Sequence, residues 1–298
     1  MTTTAADAIF EDHRDRLFGV GYRMTGSVSD ANDLCQEAWL RWQSVDVATV
    51  HNPEAYLVRT VTRLAIDRSQ SAAARRERYV GHWLPEPVLT QTPEDAAVLA
   101  DSMTFAFLVL LDELAPVERA VFVMHDVFGY SFADIALAVD RNAATCRQIA
   151  SRARRRVHAH SPGLRRFTLA EERALIDRAI ERVILGDVEG LMELLAPDVV
   201  AIDDGGPNVR AARHPIVGSK RVARFLINLA KRIDASSPVE LVTVNDRVGL
   251  YFRSVGAVGM IMTFDVDSDG TVCRIFAQLN PDKLGHLRGA KPTPAQTP

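Results

Sequence analysis

The feature that most constrains the fold of this chain is a pair of short helical segments, joined by a tight turn, between Ser131 and Val157. Ser131 can cap a helix, and Asp134 follows three residues later, as in a capping box. Asp140 can occupy the turn because aspartate tolerates the left-handed backbone conformation. Asn142 can cap the second segment, in which small and apolar residues recur at helical spacing. The pattern predicts a helix-turn-helix.

The second of these helices carries a strongly basic face. From Arg141 to Arg166 the sequence contains eight arginines and no acidic residue. Arginine can pair with guanine or phosphate, and glutamine can pair with adenine, so we predict that this helix binds DNA; a solvated basic face is the alternative. Residues near its start are expected to read bases: Thr145, Arg147, Gln148 and Ser151. Later arginines are expected to contact phosphate: Arg152, Arg154, Arg155 and Arg156.

Composition limits the remaining classes of protein. The 298 residues carry a formal net charge of only -3, so binding to nucleic acid must rest on local charge. Hydrophobic residues make up 47% of the chain, which suits about two packed domains and excludes a mainly disordered protein. Cys35, Cys146 and Cys273 are far apart in the sequence, which argues against a zinc site or disulfides. We therefore expect no metal, no cofactor and a reducing, cytoplasmic location.

No segment of the sequence suggests a membrane. The N-terminus is polar and acidic and has no apolar core of a signal peptide. The most apolar stretch, Met103 to Leu111, is too short to span a bilayer.

Helical patterns also fill the N-terminal part of the chain. From Ser29 to Trp42 apolar residues recur every three or four positions, with Ser29 as the expected N-cap. Pro53 marks the start of a second helix, which becomes basic toward Arg78. Glycine and prolines over residues 80–93 then predict an extended linker.

The linker has an apolar element and is followed by further helices. Trp83 and Leu84 are out of place in a purely solvated segment, so they either pack on the nearest domain or form a docking segment. The helical pattern resumes at Asp95, and a helix starting at Pro116 is expected to end at Gly129.

After about residue 160 the pattern changes from helices to strands. Ser161-Pro162-Gly163 marks the boundary. Helices are predicted over 168–185, 191–195 and 219–233, and strands over 199–202, 239–244, 248–253, 258–266 and 271–279. Turns are clearest at Asn245-Asp246 and Ser268-Asp269-Gly270. We predict an α+β domain with a curved sheet of antiparallel strands over 168–288, and a disordered tail over 289–298.

Separate motifs in a fixed order narrow the class of DNA-binding protein. The segment from Ser29 to Trp42 closely resembles region 2.2 of extracytoplasmic-function (ECF) sigma factors, and the segment from Asn52 to Arg68 resembles their region 2.3 to 2.4. Leu114 through Arg155 resembles region 4. The resemblance implies a promoter specificity subunit of bacterial RNA polymerase that acts in transcription initiation. It places region 2 over 1–78, the linker over 79–94 and region 4 over 95–160.

The resemblance also implies roles for three sets of residues. One face of the first motif would dock on the clamp helices of the polymerase β′ subunit: Asp33, Gln36, Glu37, Leu40 and Arg41. The basic helix would approach the promoter −10 element and help melt it: Arg59, Arg63, Arg68, Arg75 and Arg76. Region 4 would contact the β flap and read the −35 element: Thr145, Arg147, Gln148, Ser151, Arg152 and Arg155.

Two short motifs resemble signature motifs of the sigma-J-like group of ECF sigma factors. Members of this group carry a C-terminal SnoaL/NTF2-like cone domain. The two motifs are Trp83-Leu84-Pro85-Glu86-Pro87 and Asn280-Pro281-Asp282-Lys283-Leu284. That group tends to have Asp-Gly-Gly-Gly-Lys where this chain has Asp203-Asp204-Gly205-Gly206-Pro207, so the third glycine and the lysine are missing. We expect the Trp83 segment to pack near Asn280 to Leu284 and to restrain the DNA-binding regions, with Asp204, Gly205 and Gly206 in the same regulatory set.

The role of the C-terminal domain is left open among intramolecular control, sensing of a small-molecule ligand in its pocket, and catalysis with Asp203 or Asp204 as general base. For the whole chain, the main alternative to a sigma factor is a one-component helix-turn-helix regulator with a ligand-binding cone domain, which leaves residues 29–42 unexplained. A second alternative is an isomerase or hydrolase with an appended DNA-binding domain. We favour a sigma factor without enzymatic activity, for which no anti-sigma partner is required.

Overall fold

The computed structural model describes residues 5–76, 79, 81–90, 104–159, 167–233, 239–255 and 258–287; for 70–76, 254, 255 and 258 it describes only the backbone. The chain divides into two compact units. The first comprises 1–78, 97–101 and 107–160, and the second comprises 79–96, 102–106 and 161–298. The predicted helix start at Asp95, the boundary at Ser161-Pro162-Gly163 and the tail over 289–298 lie outside the described residues.

The N-terminal helices of the first unit are α1 (Ala5–Thr25), α2 (Val28–Trp42) and α3 (Pro53–Arg76). A 3-10 turn over Val47–Thr49 lies between α2 and α3. The expected N-cap of α2 is wrong by two positions: Ser27 is the cap, and its hydroxyl accepts a hydrogen bond from the Asp30 backbone N–H. Asn52 caps α3 by accepting a hydrogen bond from the Ala55 N–H. The apolar faces of these helices bury Trp42 completely.

The helices between residues 104 and 159 are α4 (Phe105–Asp112), α5 (Pro116–Phe122), α6 (Phe132–Val139) and α7 (Ala143–Ala159). A π-helical turn over Val123–Val127 extends α5, and Gly129 follows it with a positive φ. Ser131 caps α6, Asp140 adopts the left-handed conformation with φ 53°, and the Asn142 side chain accepts a hydrogen bond from the Thr145 N–H. The predicted helix-turn-helix is therefore confirmed.

The second unit is an α+β domain. Its helices are α8 (Leu169–Leu185), α9 (Val188–Met192), α10 (Ser219–Ala230) and α11 (Pro281–Leu284), with a 3-10 turn over Gly285–Leu287. Its strands are β1 (Leu195–Asp204), β2 (Ile216–Val217), β3 (Val239–Val244), β4 (Arg247–Val255), β5 (Val258–Val266) and β6 (Val272–Gln278). Within the described residues they form a six-stranded sheet in the order β2-β1-β6-β5-β4-β3.

The start of this domain differs from the prediction. The short helix expected over 191–195 lies instead at Val188–Met192, because Asp187 caps it and accepts a hydrogen bond from the Gly190 N–H. Strand β1 consequently begins at Leu195 rather than at Val199. It runs parallel to β6, so the expectation of antiparallel strands is wrong for this pair. The expected turn at Asn245-Asp246 is present, and both residues have positive φ, 49° and 61°.

Two apolar clusters lie on opposite faces of this sheet. The larger one joins α8 and α10 to strand residues that include Leu250 and Met262. The smaller one joins Tyr251 and Ile261 to Leu89 of the linker and to residues of the C-terminal segment. Because side chains alternate along a strand, neighbouring residues of β4 and β5 belong to different clusters. The helices therefore cover one face, and the linker and α11 cover the other.

Candidate functional site

Helix α7 exposes the side chains that were predicted to contact DNA. Thr145 is half-buried, and the others are exposed: Arg147, Gln148, Ser151, Arg152 and Arg155. The opposite stripe is buried: Cys146, Ile149, Ala150 and Ala153. One face of the helix therefore packs in the first unit, and the other offers donors suited to phosphates and base edges.

Two further arginines of α7 form ion pairs within the first unit. Arg154 Nε lies 2.6 Å from Asp126, and the Arg156 guanidinium lies 2.7 Å from Glu118. Both acids belong to α5 or its π-helical extension, so these pairs attach α7 to that helix. The expected phosphate contacts of α7 all stay predictions, but Arg154 and Arg156 would have to leave these ion pairs to make them.

The surface of α2 that the sequence assigned to polymerase docking is solvent-exposed. All its members are exposed: Asp33, Gln36, Glu37, Leu40 and Arg41. Leu40 is 58% exposed although apolar, and the neighbouring Trp39 is 37% exposed. Arg41 pairs with Glu37 at 2.8 Å one helical turn away. Large apolar side chains among charged ones are typical of a surface that another protein covers.

The arginines of α3 have different surroundings. The Arg59 guanidinium lies over the Tyr56 ring at 5.5 Å. Arg68 pairs with Asp33 of α2 at 3.2 Å. Asp33, which belongs to the expected docking surface, therefore also contacts the basic helix α3. The side chains of Arg75 and Arg76 lie outside the described residues.

Arg63 connects α3 to the helix-turn-helix. Its guanidinium donates hydrogen bonds to the carbonyl oxygens of Leu137 at 2.6 Å and Ala138 at 3.3 Å, at the end of α6. Carbonyls in the last turn of a helix lack intrahelical partners and carry the negative end of its dipole, so a cation is favoured there. The same side chain that was predicted to approach DNA thus holds the two helical parts of the first unit together.

Further polar contacts support this arrangement. The Tyr130 hydroxyl donates to Glu54 of α3 at 2.6 Å, and Arg16 of α1 pairs with the same carboxylate at 2.8 Å. Burial, followed by the hydrogen bond to Glu54, raises the pKa of Tyr130 to about 12. The buried Arg119 of α5 donates to the Met24 carbonyl at 2.7 Å. Charge-assisted hydrogen bonds therefore connect α1 and α3 to the C-terminal helices of this unit.

Comparison with known proteins identifies both helical parts. The family model for Sigma-70 region 2 matches residues 9–75, and the model for Sigma-70 region 4 matches residues 104–157. The chain is 37% identical over 287 residues to the ECF RNA polymerase sigma factor SigJ of Mycobacterium tuberculosis, covering 92% of each chain. The chain belongs to the ECF sigma factors.

The similarity extends through the C-terminal domain of this sigma factor. A probable ECF sigma factor SigI of Mycobacterium tuberculosis is 29% identical over 94% of this chain and 95% of the relative. The crystal structure of Mycobacterium tuberculosis SigJ matches with a TM-score of 0.77 at 35% identity, covering 93% of this chain and 98% of that one. Region 2, region 4 and the α+β domain therefore occur together in a solved relative.

The described residues of this sigma factor include neither a helix suited to crossing a membrane nor a cluster suited to holding a metal ion. None of their helices combines the length and apolar character needed to cross a membrane. No group of three or more histidines, cysteines, aspartates and glutamates among them is positioned to hold a metal ion.

Within the second unit, the linker of this sigma factor docks on the α+β domain. We call Tyr79 and residues 81–90 the linker strap. Lys283 Nζ donates to the Leu84 carbonyl at 2.6 Å and lies 4.1 Å from the centre of the Trp83 ring. The Gln278 amide also donates to the Leu84 and Pro85 carbonyls. The structure thus brings together the two motifs that the sequence analysis expected to meet.

Asp204 lies at the centre of this contact. Its carboxylate pairs with Lys283 at 2.6 Å, and it accepts hydrogen bonds from the Tyr79 hydroxyl at 2.6 Å and the Leu84 N–H at 2.8 Å. The Asn280 side chain donates to the Tyr79 oxygen at 2.7 Å. Burial, together with the bond to Asp204, raises the pKa of Tyr79 above its usual range. A buried carboxylate with this many donors is fully compensated.

The two glycines after Asp204 make room for the network. Gly206 has φ 60°, and a Cβ there would lie 2.6 Å from the Asn280 amide nitrogen. A Cβ on Gly205 would lie 2.4 Å from the Val209 carbonyl oxygen. Pro207, where the family motif has its third glycine, is exposed. The glycines that are retained therefore have a steric role.

The other end of the strap adds to the edge of the sheet. Leu89 forms an antiparallel bridge with Val244, and the Asn245 N–H donates to the Val88 carbonyl at 2.9 Å. His286 Nε2 lies 2.8 Å from the Pro87 carbonyl oxygen. Tyr79, Gln278, Asn245 and His286 were absent from the predicted regulatory set. Gln278 and His286 lie within two residues of the predicted C-terminal motif, which is the signal that could have found them.

Asp203, the other acid considered as a general base, lies apart from this network. It is buried and accepts a hydrogen bond from the Ala212 N–H at 3.3 Å. Burial raises its pKa to about 6. Neither Asp203 nor Asp204 lines the cavity of about 1050 Å³ that opens between α8, α10 and the sheet. The arrangement provides no support for the catalytic hypothesis.

Proposed function

We propose that this chain binds core RNA polymerase and directs initiation at promoters with −35 and −10 elements, and that its second unit modulates this activity. The observation that carries the proposal is the presence of a sigma region 2 and a sigma region 4 in one chain that aligns over 92% of its length with an ECF RNA polymerase sigma factor. The one-component regulator has no comparable support, since region 2 serves no purpose in it.

The exposed surfaces suggest which partner each region takes. The α2 surface is proposed to dock on the clamp helices of the β′ subunit: Asp33, Gln36, Glu37, Leu40 and Arg41. Region 4 is proposed to contact the β flap and to read the −35 element through the exposed side of α7: Thr145, Arg147, Gln148, Ser151, Arg152 and Arg155. The basic helix α3 is proposed to approach the −10 element: Arg59, Arg63, Arg68, Arg75 and Arg76. Cytoplasmic action follows from this proposal.

The contact between Arg63 and the end of α6 bears on how the chain would engage a promoter. Two elements about 25 base pairs apart are separated by roughly 85 Å at 3.4 Å per base pair. Regions 2 and 4 cannot hold both elements while Arg63 is bonded to Leu137 and Ala138. We propose that the free chain is closed and that binding to the core enzyme separates the two regions.

The linker strap offers a route for modulation by the second unit. The strap lies in the sequence between region 2 and region 4, so docking fixes part of the tether that must extend when they separate. Fixing its dozen or so residues removes on the order of 40 Å of reach, at about 3.4 Å per residue. Release of the strap from Asp204 and Lys283 would favour the separated state.

Run-off transcription from a cognate promoter, with purified core enzyme and the full chain, tests the first part of the proposal. We expect transcripts only when both proteins are present, and fewer with Leu40→Arg on the docking surface. An Arg178→Ala variant on the exposed side of α8 serves as the control. Binding of the chain alone to promoter duplex, without core-dependent transcripts, would instead establish a one-component regulator.

The same assay tests modulation by the strap. Lys283→Met should change the yield of transcript relative to the wild-type chain, because the strap loses a hydrogen bond at the Leu84 carbonyl and Asp204, which holds the strap, loses its ion pair. Lys220→Met, at an exposed position of α10, is the matched control. Equal yields from all three proteins contradict modulation through the strap and leave the sigma activity intact.

A further inference from the structure

We infer that Arg147 reads a guanine of the −35 element through two hydrogen bonds, and that the ring of Phe132 positions its guanidinium for this contact. This assignment rests on the proposed function, in which region 4 reads the −35 element, and it names the base and the two side chains. Its support is the set of contacts that surround the Arg147 side chain.

The guanidinium of Arg147 is held by an aromatic ring. Its central carbon lies over the Phe132 ring, 5.6 Å from the ring centre. This distance is within the roughly 6 Å over which the face of an aromatic ring attracts a cation. The attraction acts on the charge of the guanidinium and requires none of its five N–H donors. The contact therefore restrains the side chain and leaves its donors for a ligand.

Arg147 differs in this respect from two arginines that follow it on α7. Arg154 donates a hydrogen bond to Asp126, and Arg156 donates one to Glu118. In the part of the chain that the structure describes, Arg147 has neither a hydrogen-bond acceptor nor an ion-pair partner. Its side chain is exposed. The guanidinium is thus restrained and accessible at the same time.

The ring of Phe132 is itself held in place by its neighbours. It lies 4.0 Å from the His125 ring, centre to centre, with an angle of 33° between the two planes. His125 Nδ1 lies 2.9 Å from the carbonyl oxygen of Tyr130, which anchors the imidazole to the turn before α6. Phe132 is the first residue of α6, and the cap at Ser131 fixes the backbone there. The ring is therefore a well-supported platform for the guanidinium.

A restrained guanidinium with accessible donors suits one base better than the others. In the major groove guanine presents two acceptors, O6 and N7, whereas adenine presents an acceptor beside a donor, thymine an acceptor beside a methyl group, and cytosine a donor. Arginine has donors only, so guanine alone among the bases can accept two of its hydrogen bonds there. Restraining the side chain before binding reduces the conformational entropy that is lost when the contact forms.

The place of Arg147 on α7 agrees with this role. It is the fifth residue of the helix, which begins at Ala143. In helix-turn-helix proteins the residues near the start of the recognition helix contact base edges. Arg152 and Arg155 lie further along the helix, where phosphate contacts are expected. Arg147 is therefore the α7 arginine that we assign to direct recognition of a base.

The base assignment is tested by selection from a library of duplexes. The full chain, assembled with core enzyme, selects bound duplexes from a cognate promoter that is randomised over its −35 element. At one position the wild-type chain should prefer guanine by about 5- to 150-fold, the value of one bidentate contact, and Arg147→Ala should lose this preference. Arg152→Ala is the control, which should weaken binding to all sequences without changing the preferred bases.

The outcomes of this selection separate the two levels of the proposal. If the wild-type chain selects no sequence, the proposed reading of the −35 element fails together with the role of Arg147. If it selects a sequence that Arg147→Ala leaves unchanged, the role of Arg147 is overturned and the proposed function stands. Loss of the preference for a base other than guanine overturns the base assignment.

The positioning role of Phe132 is tested in the same selection. Phe132→Leu and Phe132→Met remove the ring, and each should lower the preference for that guanine by about two- to fivefold, the value of a cation–π contact at an exposed site. Preferences at the other positions should persist, and Phe132→Tyr, which keeps a ring, should retain the wild-type preference. Unchanged preference for the guanine in both ringless variants, or an equal loss at every position in both, overturns the positioning role.

Discussion

Lys283 and Asp204 form a 2.6 Å ion pair in which the lysine side chain is 9% exposed and the aspartate side chain is fully buried. Each charge lies where it would be strongly unfavourable without the other. Lys283 also contacts the strap through the Leu84 carbonyl and the Trp83 ring. The ion pair therefore couples the stability of the second unit to the docking of the linker.

Removing one partner of this pair should be costly. We expect Lys283→Met to lower the free energy of unfolding of the second unit by about 3–5 kcal/mol, because the Asp204 charge stays buried without its cation. Urea unfolding followed by circular dichroism measures the change, with Lys220→Met as the exposed control. Adding Asp204→Asn to Lys283→Met should recover part of the loss; no recovery would mean that lost packing, and not the uncompensated charge, dominates.

The closed arrangement of the first unit should depend on Arg63. Arg63→Ala removes two hydrogen bonds to the end of α6, worth roughly 1.5–3 kcal/mol each for a charged donor, so the free chain should expand. Small-angle scattering measures the radius of gyration. Arg59→Ala is the control, since Arg59 lies on the same helix but over the Tyr56 ring. An identical radius for both variants would count against the role of Arg63.

Phosphate contacts of α7 should appear in the salt dependence of DNA binding. Arg152→Ala and Arg155→Ala should each reduce the slope of log K against log salt by about one on a −35 duplex. Arg178→Ala, far along the chain in the second unit, should leave the slope unchanged. If the two α7 variants keep the wild-type slope, these arginines do not contact phosphate.

The stability of the second unit should depend on pH through Asp203. Burial raises the pKa of this carboxyl from 3.8 to about 6, so the native state binds its proton more tightly than the unfolded state. The contribution to stability is therefore greatest below pH 4, falls as the pH rises toward 6 and is constant above it; the total is on the order of 2–3 kcal/mol.

Asp203→Asn removes this dependence. Between pH 4 and pH 7 the wild-type chain should lose on the order of 2–3 kcal/mol of unfolding free energy relative to the variant. Measuring the unfolding free energy of both chains at the two pH values checks this. Asp269→Asn, at an exposed turn position, is the control. Parallel pH profiles for wild type and Asp203→Asn would contradict the raised pKa.

Local chemistry accounts for the parts of the structure that the sequence predicted well. The caps at Ser131 and Asn142, and the turns at Asp140 and Asn245, depend on hydrogen bonds and backbone conformations within a few residues. The same reasoning misplaced the cap of α2, because Ser27 and Ser29 are chemically equivalent. Only the packing of the whole helix decides between them.

Contacts between distant residues were harder to predict. The parallel pairing of β1 with β6 depends on strands that are far apart in sequence. The hydrogen bonds of Arg63 to the end of α6 could not be predicted, because their acceptors are backbone carbonyls, which every residue type carries. The meeting of the Trp83 and Lys283 motifs was expected only from resemblance to a family, and the central position of Asp204 emerged from the structure.

The partners of the strap are separated from it by a long stretch of chain, since Leu84 and Lys283 are 199 residues apart. A ribosome that adds about 5–20 residues per second needs roughly 10–40 seconds to make that stretch. Regions 2 and 4 are complete before the lysine that holds their linker has been synthesised. Under the proposed function, each nascent chain would therefore expose regions 2 and 4 with an undocked tether, and restraint would begin only once α11, which contains Lys283, has emerged.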